Sequence, residues 1–347
     1  MDTREARLDP ERPEHPEPAE GPARPAVTHR WRRAAAWAAG LLVAGTGTVV
    51  GCRAADVDGI TPVPQLLAFL PWLLVPTGAA LLLAAFARRP VLIGLALVLA
   101  AVNGWFLQPY GDLDTSRGPV VAQLRVLTAN VEFGGATDDL IAAVRREKPD
   151  LVYVQECNHP CSRALARKLP AASYPYRKVV EASGAEGSAI LSTHPLRPAP
   201  GIASALAMPG AVAVVGGRQV RLQLAHPLPP VPRLVDRWES ELGAIRAYVA
   251  AGSGPTIVAG DFNASQDHAA FRRVLDAGAG LRDSATLAGA SRTPTWPAKT
   301  APPLGAQIDH VLVSREFGVR NARFLDFTGT DHRALLVELE LHGGQGT

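Results

Sequence analysis

PTIVAGDFNASQDHAAFRRVL, residues 255–275, runs from an uncharged apolar segment through a Gly-Asp-Phe-Asn turn into a segment of helical character. A strand without polar alternation is buried on both faces. A side chain at the end of such a strand is held rigidly and still meets solvent. Asp261 and Asn263, a carboxylate and an amide separated by one residue, stand at that position.

Working outward, the same arrangement recurs. QLRVLTAN ends at Asn130, DLVYVQE at Glu156 and RLQLAH at His226; QIDH carries Asp309 near a strand start, and TGTDHR carries Asp331 and His332 just before the strand ALLVELEL (334–341). Between these strands Thr137 is placed to cap a helix bearing Leu140, Ile141 and Val144 and stopped by Pro149. AVAVV and RQVRLQLAH flank Gly216-Gly217, a hairpin signal. Leu234, Trp238, Leu242, Ile245 and Val249 form one helical stripe that reads as core packing. Hairpins mixed with β-α-β units predict an α+β domain over residues 122–341, two sheets packed face to face with helices outside.

Asn, Glu and Asp are hard oxygen ligands that suit Mg²⁺ or Mn²⁺. Two histidines near them can bind a phosphate or pass a proton. The set amounts to the parts for metal-assisted phosphoester hydrolysis. Each residue alone has a plainer explanation: Asn130 and Asp331 as turn formers, Asp309 at a strand edge, His226 ending a strand before Pro227. Their order along the chain is more specific. Asn after a strand, Q-E, G-x-A-I-L-S (187–192), a strand-final His, G-D-F-N, I-D-H and a closing D-H together resemble the endonuclease/exonuclease/phosphatase superfamily, which includes DNase I-like nucleases, sphingomyelinases and inositol-polyphosphate phosphatases. That resemblance implies a four-layer α/β/β/α sandwich of DNase I-like form. It implies Glu156 as principal metal ligand, with Asn130 lining the metal site and Asp331 as a second metal-site carboxylate. It assigns Asp261 to the attacking water and Asn263 to a phosphate contact. His332 becomes the histidine on the scissile phosphate, Asp309 the carboxylate that keeps it protonated, and His226 a second site histidine. Thr330 stands where the superfamily usually has Ser, keeping the hydroxyl.

The N-terminal third reads differently. Residues 1–30 are rich in Pro, Glu and Arg without apolar period and read as a disordered cytoplasmic tail. Residues 34–52, 60–87 and 90–107 carry no charge, and each approaches the roughly 20 apolar residues of a membrane span. The region 31–110 is therefore expected to hold three transmembrane helices, with Pro71 and Pro76 bending the second. Arg30, Arg32, Arg33, Arg88 and Arg89 fall on one side of such spans, which puts the N-terminus inside and everything beyond residue 110 outside a multi-pass cell-membrane protein. Residues 111–121 read as a linker and 342–347 as a tail. Three spans before such a domain resemble a narrower group, the VanJ-type membrane proteins linked to teicoplanin-class glycopeptide resistance. This second resemblance implies a phosphorylated substrate at the bilayer, such as a lipid-linked phosphate or pyrophosphate of cell-wall synthesis.

Composition bounds the alternatives. Of 347 residues 19% are charged and the net charge is +3, too mild for a surface built around nucleic acid. The loop after His226, PLPPVPR, is more apolar than basic. An extracellular nuclease is thereby disfavoured, a phospholipase C-like enzyme stays open, and the non-enzymatic reading is a membrane-tethered binding domain. No protein partner is inferred. Three cysteines offer no zinc set; Cys157 and Cys161 read either as a short disulfide or as two free thiols. Trp296 in TPTWP reads as a residue at the cleft rim.

Overall fold

The computed structural model describes residues 26–114, 116, 118–300 and 304–343. Most of the expected cytoplasmic tail and the end of the expected C-terminal tail lie outside the described residues. Residues 26–30 belong instead to the first helix.

The N-terminal module comprises α1 (Ala26–Ala54), α2 (Val63–Leu67), a 3₁₀ turn (Leu70–Leu73), α3 (Leu74–Phe86) and α4 (Pro90–Phe106). Among the described residues α1 alone is long and apolar enough to cross a membrane; the apolar helices Leu70–Phe86 and Pro90–Phe106 are shorter. The stretch 60–87, expected as one bent span, is three pieces. Pro62, Pro64 and Pro71 lack the amide hydrogen that a continuous helix needs, so the chain restarts at Val63, Leu70 and Leu74. Between the helices the buried positions are mostly small, among them Ala39, Ala80, Ala84 and Ala96, while Trp37, Leu41, Leu82, Val91 and Trp105 point outward, exposed.

The second module begins with β1 (Val120–Asn130), so the expected linker ends two residues early, where Val120 pairs with His342. It continues with α5 (Thr137–Glu147), β2 (Leu151–Gln155), α6 (His159–Lys168), β3 (Tyr176–Val180), β4 (Ser188–Ser192), β5 (Leu196–Ile202), β6 (Met208–Val215), β7 (Arg218–Ala225), α7 (Val235–Ala250), β8 (Thr256–Asp261), α8 (Ala269–Leu275), β9 (Arg282–Asp283), α9 (Ser284–Leu287), β10 (Asp309–Val313), β11 (Phe317–Asp326) and β12 (Arg333–His342). Two six-stranded sheets result, in the orders β11-β12-β1-β2-β4-β3 and β5-β6-β7-β8-β10-β9. Leu124, Val126, Tyr153, Leu222, Ile257, Val311 and Val337 fill the space between them. Their strand neighbours point the opposite way, as a period of two requires: Leu127 and Val152 pack under α5 and α6, and Val258 and Leu312 under α7 and α8. The expected two-sheet sandwich with outer helices is the observed one. Thr137 is the first residue of α5 and not its cap; its Oγ1 donates to the Gly134 carbonyl at 2.6 Å.

The topology explains why one rim collects the polar residues. Each sheet has a central parallel pair, β1 with β2 and β7 with β8, each joined by a crossover helix. The C-terminal ends of these four strands lie at one rim. The strands that flank them antiparallel, β10 beside β8 and β12 beside β1, begin at that same rim. Asp309, the first residue of β10, lies opposite Asp261, the last of β8.

Candidate active site

Every residue singled out from the sequence comes to this rim. Asn130 closes β1, Glu156 follows β2, His226 follows β7, Asp261 closes β8, Asp309 opens β10, and Asp331 and His332 precede β12. The backbone helps to aim them. Glu156 and Asn263 sit in the left-handed region at φ 57° and 47°, turning each chain sharply as it leaves its strand. Gly260 is required by a close approach: a Cβ there would lie 1.9 Å from the Ala225 carbonyl oxygen of the paired strand.

A chain of contacts runs across the cluster. The Asn130 amide nitrogen donates to Glu156 Oε1 and to Asp261 Oδ2, each at 3.1 Å, while its oxygen accepts from the Glu132 amide at 3.0 Å. The Phe133 amide donates to the other Glu156 oxygen at 3.0 Å. Asp261 Oδ1 accepts from the Asn263 amide at 2.8 Å, and Asp261 Oδ2 lies 3.8 Å from His332 Nε2. His332 Nδ1 bonds Asp309 Oδ2 at 2.9 Å, and its Nε2 lies 3.7 Å from Asp331 Oδ1. His226 Nε2 stands 3.9 Å from Glu156 and 4.0 Å from Asp261. The Asn263 amide nitrogen donates to the Pro227 carbonyl at 3.0 Å, tying the GDFN turn to the loop after His226. The Thr330 hydroxyl donates to the Asn130 carbonyl, which holds the D-H turn against β1.

Electrostatics separates the two histidines. His226 is fully buried; desolvation, aided by repulsion from His332, lowers its pKa to about 3, so it is a neutral imidazole. Burial also opposes charge on His332, but the charges of Asp309 and Asp261 and the bond to Asp309 override it and raise its pKa to about 10. Burial is likewise the largest influence on Asp261, and repulsion from Asp309 adds to it. Against these act the His332 charge and the donated bonds, and the balance lifts the carboxyl toward about 7. A carboxylate poised near neutrality beside an imidazolium is matched to moving a proton at neutral pH.

The donor set fits a hard divalent cation. It is rich in carboxylate and amide oxygen and holds no thiolate. Asp261, Asp309 and His332 bring ligand atoms within 4.8 Å of one another. His332 Nδ1 is engaged with Asp309, however, and a protonated imidazole does not ligate a cation. The more solvent-accessible carboxylates are Glu156 and Asp331, whose side chains are 15% and 34% exposed. They present carboxylate oxygen to an arriving ion more openly than the buried trio does.

Trp296, read only as a rim residue, has a definite contact: its indole donates to Asp331 Oδ2 at 2.8 Å. Its place in the loop ahead of Asp309 was the available signal. Cys157, next to Glu156, is disulfide-bonded to Cys161 with S–S 2.05 Å, which closes the alternative left open above. No sequence pattern announced the polar seam joining the two modules. Asp267 accepts from Arg292 at 2.5 and 2.8 Å and lies 3.5 Å from Arg53. Arg292 also donates to the Phe106 and Leu107 carbonyls at the end of α4. Asp56 binds Arg272 at 2.6 Å, and Asp58 accepts from the first two amides of α8 at 2.7 and 2.9 Å.

Comparison with known proteins agrees with this architecture. A crystal structure of an endonuclease/exonuclease/phosphatase from Beutenbergia cavernae DSM 12333 superimposes with TM-score 0.54 at 22% identity, covering 64% of this chain and 72% of that one. D. rerio TDP2 humanized by 14 mutations gives 0.53 at 15% identity, covering 62% and 98%. A family protein from Leptotrichia buccalis C-1013-b gives 0.51 at 17%, covering 63% and 100%. At these identities the likeness is one of fold. No curated protein matches. The family model described as Endonuclease/Exonuclease/phosphatase family matches residues 127–332, from within β1 to His332 itself. With more than half of its length inside that match and the sandwich around it complete, the chain belongs to the endonuclease/exonuclease/phosphatase family.

Proposed function

We propose that this protein is a membrane-anchored, divalent-metal-dependent phosphoesterase whose substrate is a lipid-linked phosphate ester or pyrophosphate, acting on the outer face of the membrane. The observation that carries the reaction type is the rim cluster: a near-neutral Asp261, an imidazolium at His332 and the Glu156 carboxylate within one line of contacts. Asp261 accepts the proton of the attacking water. His332, held charged by Asp309, binds the phosphate oxygens and offsets the negative charge that builds up as the ester is attacked. Neutral His226 and Asn263 complete the ring of donors around the phosphate. Glu156 and Asp331 would hold Mg²⁺ or Mn²⁺, with Asn130 spacing Glu156 from Asp261; the ion would supply Lewis-acid stabilisation of the phosphoryl oxygens.

Anchoring rests on α1 and on the outward-facing apolar side chains of the N-terminal module. We read α3 and α4, with the 3₁₀ turn, as two further crossings. The seam supports the orientation, because Arg53, Asp56, Asp58 and the end of α4 all bind the catalytic domain. The Cys157–Cys161 disulfide suits an oxidising compartment. The narrower resemblance to VanJ-type proteins, with its glycopeptide-resistance role, belongs to this reading. Deleting the gene should raise teicoplanin susceptibility, and unchanged susceptibility removes that role.

The substrate class is tested with the full chain in lipid nanodiscs containing Mg²⁺ or Mn²⁺, assayed on a polyprenyl pyrophosphate, a diacyl phospholipid and DNA. The expected result is a kcat/KM on a lipid-linked phosphate about tenfold or more above that on DNA, one factor of ten being about 1.4 kcal/mol of transition-state binding. A preference for DNA would make the protein a nuclease. No turnover with any divalent ion would make it a binding domain.

A further inference from the structure

The segment between α1 and α3 does more than connect. Its residues 65–69 lie against the loop that follows His226 and against the loop carrying Trp296. Gln65 donates to the Pro230 carbonyl, His268 Nε2 bonds the Pro64 carbonyl at 2.8 Å, and the Phe69 and Trp296 rings sit 6.2 Å apart. Between them lies a cavity of about 190 Å³ lined mainly by Ala68, Phe69, Pro229, Pro230, Val231 and Trp296, with Gln65, Asn263, His268 and Ile308 completing it. Most polar groups near it are engaged elsewhere: the Gln65 amide nitrogen and His268 Nε2 bind the carbonyls just named, and the Asn263 amide nitrogen binds Pro227, while Gln65 Oε1 is a buried acceptor left without a partner. What they leave is a mainly apolar lining that adjoins the catalytic rim through two residues. Asn263 belongs to both cavity and rim, and Trp296 forms a wall while bonding Asp331. On the same segment Ile60 and Leu66 are exposed, and Val231 is 43% exposed on the facing loop.

We propose that this cavity binds the hydrocarbon chain attached to the phosphate being cleaved, so that the membrane module supplies one wall of the substrate site. This deepens the reading of the previous subsection and rests on it. The choice of occupant follows from position. The cavity adjoins the rim at Asn263 and Trp296, and three of its ten lining residues, Gln65, Ala68 and Phe69, come from a segment fastened to apolar helices. A sugar or nucleobase continuing from the phosphate would need hydrogen-bond partners there, and the lining offers almost none. The proline run 227–230 keeps the facing wall free of backbone donors at Pro227, Pro229 and Pro230.

Two full-length variants test the cavity from opposite walls. Ala68→Trp fills it and Val231→Asp places a charge at its edge; neither residue touches the catalytic cluster. In nanodiscs, both should raise KM for a polyprenyl pyrophosphate by about tenfold, the equivalent of losing contact with roughly two methylenes. Hydrolysis of water-soluble methyl p-nitrophenyl phosphate should change by less than about twofold, a difference within the range of ordinary surface substitutions. A diacyl phospholipid arm separates prenyl from acyl chains. Equal effects on long-chain and soluble substrates, or no effect on either, would overturn the proposal. A readout independent of turnover keeps it separate from the proposed function: a hexadecyl phosphonate bearing a mid-chain diazirine should photolabel residues 65–69 and 229–231. Labelling confined to α1, α3 and α4 would overturn the cavity even with hydrolysis intact. Labelling in the cavity by a protein that hydrolyses none of the substrates would uphold it while the assignment as a phosphoesterase fell.

Discussion

Asp261→Asn should lower kcat by about 10³-fold, within the range expected when a positioned proton acceptor is removed. The substitution preserves shape, and its side-chain oxygen can still accept from the Asn263 amide that now bonds Asp261 at 2.8 Å. What is lost is proton affinity at one oxygen, the charge facing His332 Nε2 at 3.8 Å, and the acceptor of the Asn130 amide, which then meets an NH₂ group. Removing a buried carboxylate relieves desolvation, which opposes the loss of the Asn130 bond, about 1–3 kcal/mol for a buried group left unpaired, so the variant should still fold. A single-turnover assay against a urea titration separates the two effects. Activity within tenfold of the parent would show that the attacking water is activated elsewhere, and the roles assigned around Asp261 would have to be redrawn.

Asp309→Asn should lower kcat by about 10²-fold at pH 8, the size of a single lost electrostatic contact in a buried site, and should also move the pH profile. The sign follows from His332. Its folded pKa is raised, so the imidazolium persists through neutrality, and activity that depends on it falls only as pH rises through about 10. Asp309 contributes the largest raising influence against the desolvation that pulls the other way. Without that charge, burial gains ground and the alkaline limb moves to lower pH. The variant's deficit should therefore shrink as the solution is made more acid, until Asp261 itself is protonated. An amide can still accept from Nδ1, so the ring stays in place. A deficit constant across pH would mean that Asp309 positions the ring without keeping it charged.

The candidate site residues were legible in the sequence because strands rigidify their ends. An apolar strand cannot turn its last side chain inward, so GDFN, QE and the strand-final His each declared a polar group at a strand terminus. The two glycines of the β6–β7 hairpin and the Trp238 stripe of α7 were equally plain, since turn chemistry and helical period are local properties. Other features resisted for local reasons of their own. LRPAPGI did not read as β5 because two prolines and a glycine obscure an edge strand whose partner, β6, provides its hydrogen bonds. The second apolar stretch read as one span because hydropathy counts side chains and ignores the missing amides of Pro62, Pro64 and Pro71.

By itself, then, the sequence determined the kinds of group available, their attachment to strand ends and the apolar character of most of residues 34–107. Only the tertiary structure decided that those ends share a rim, because convergence depends on which strands run parallel, and that is settled by crossover helices and sheet order. It alone decided the charge on each histidine: carboxylates lie near both, but only His332 is hydrogen-bonded to one, Asp309 at 2.9 Å, whereas buried His226 is also repelled by His332. The seam between modules was likewise its choice: Arg53 and Asp267 are separated by more than two hundred residues of chain, and their attraction has no meaning until folding closes that distance.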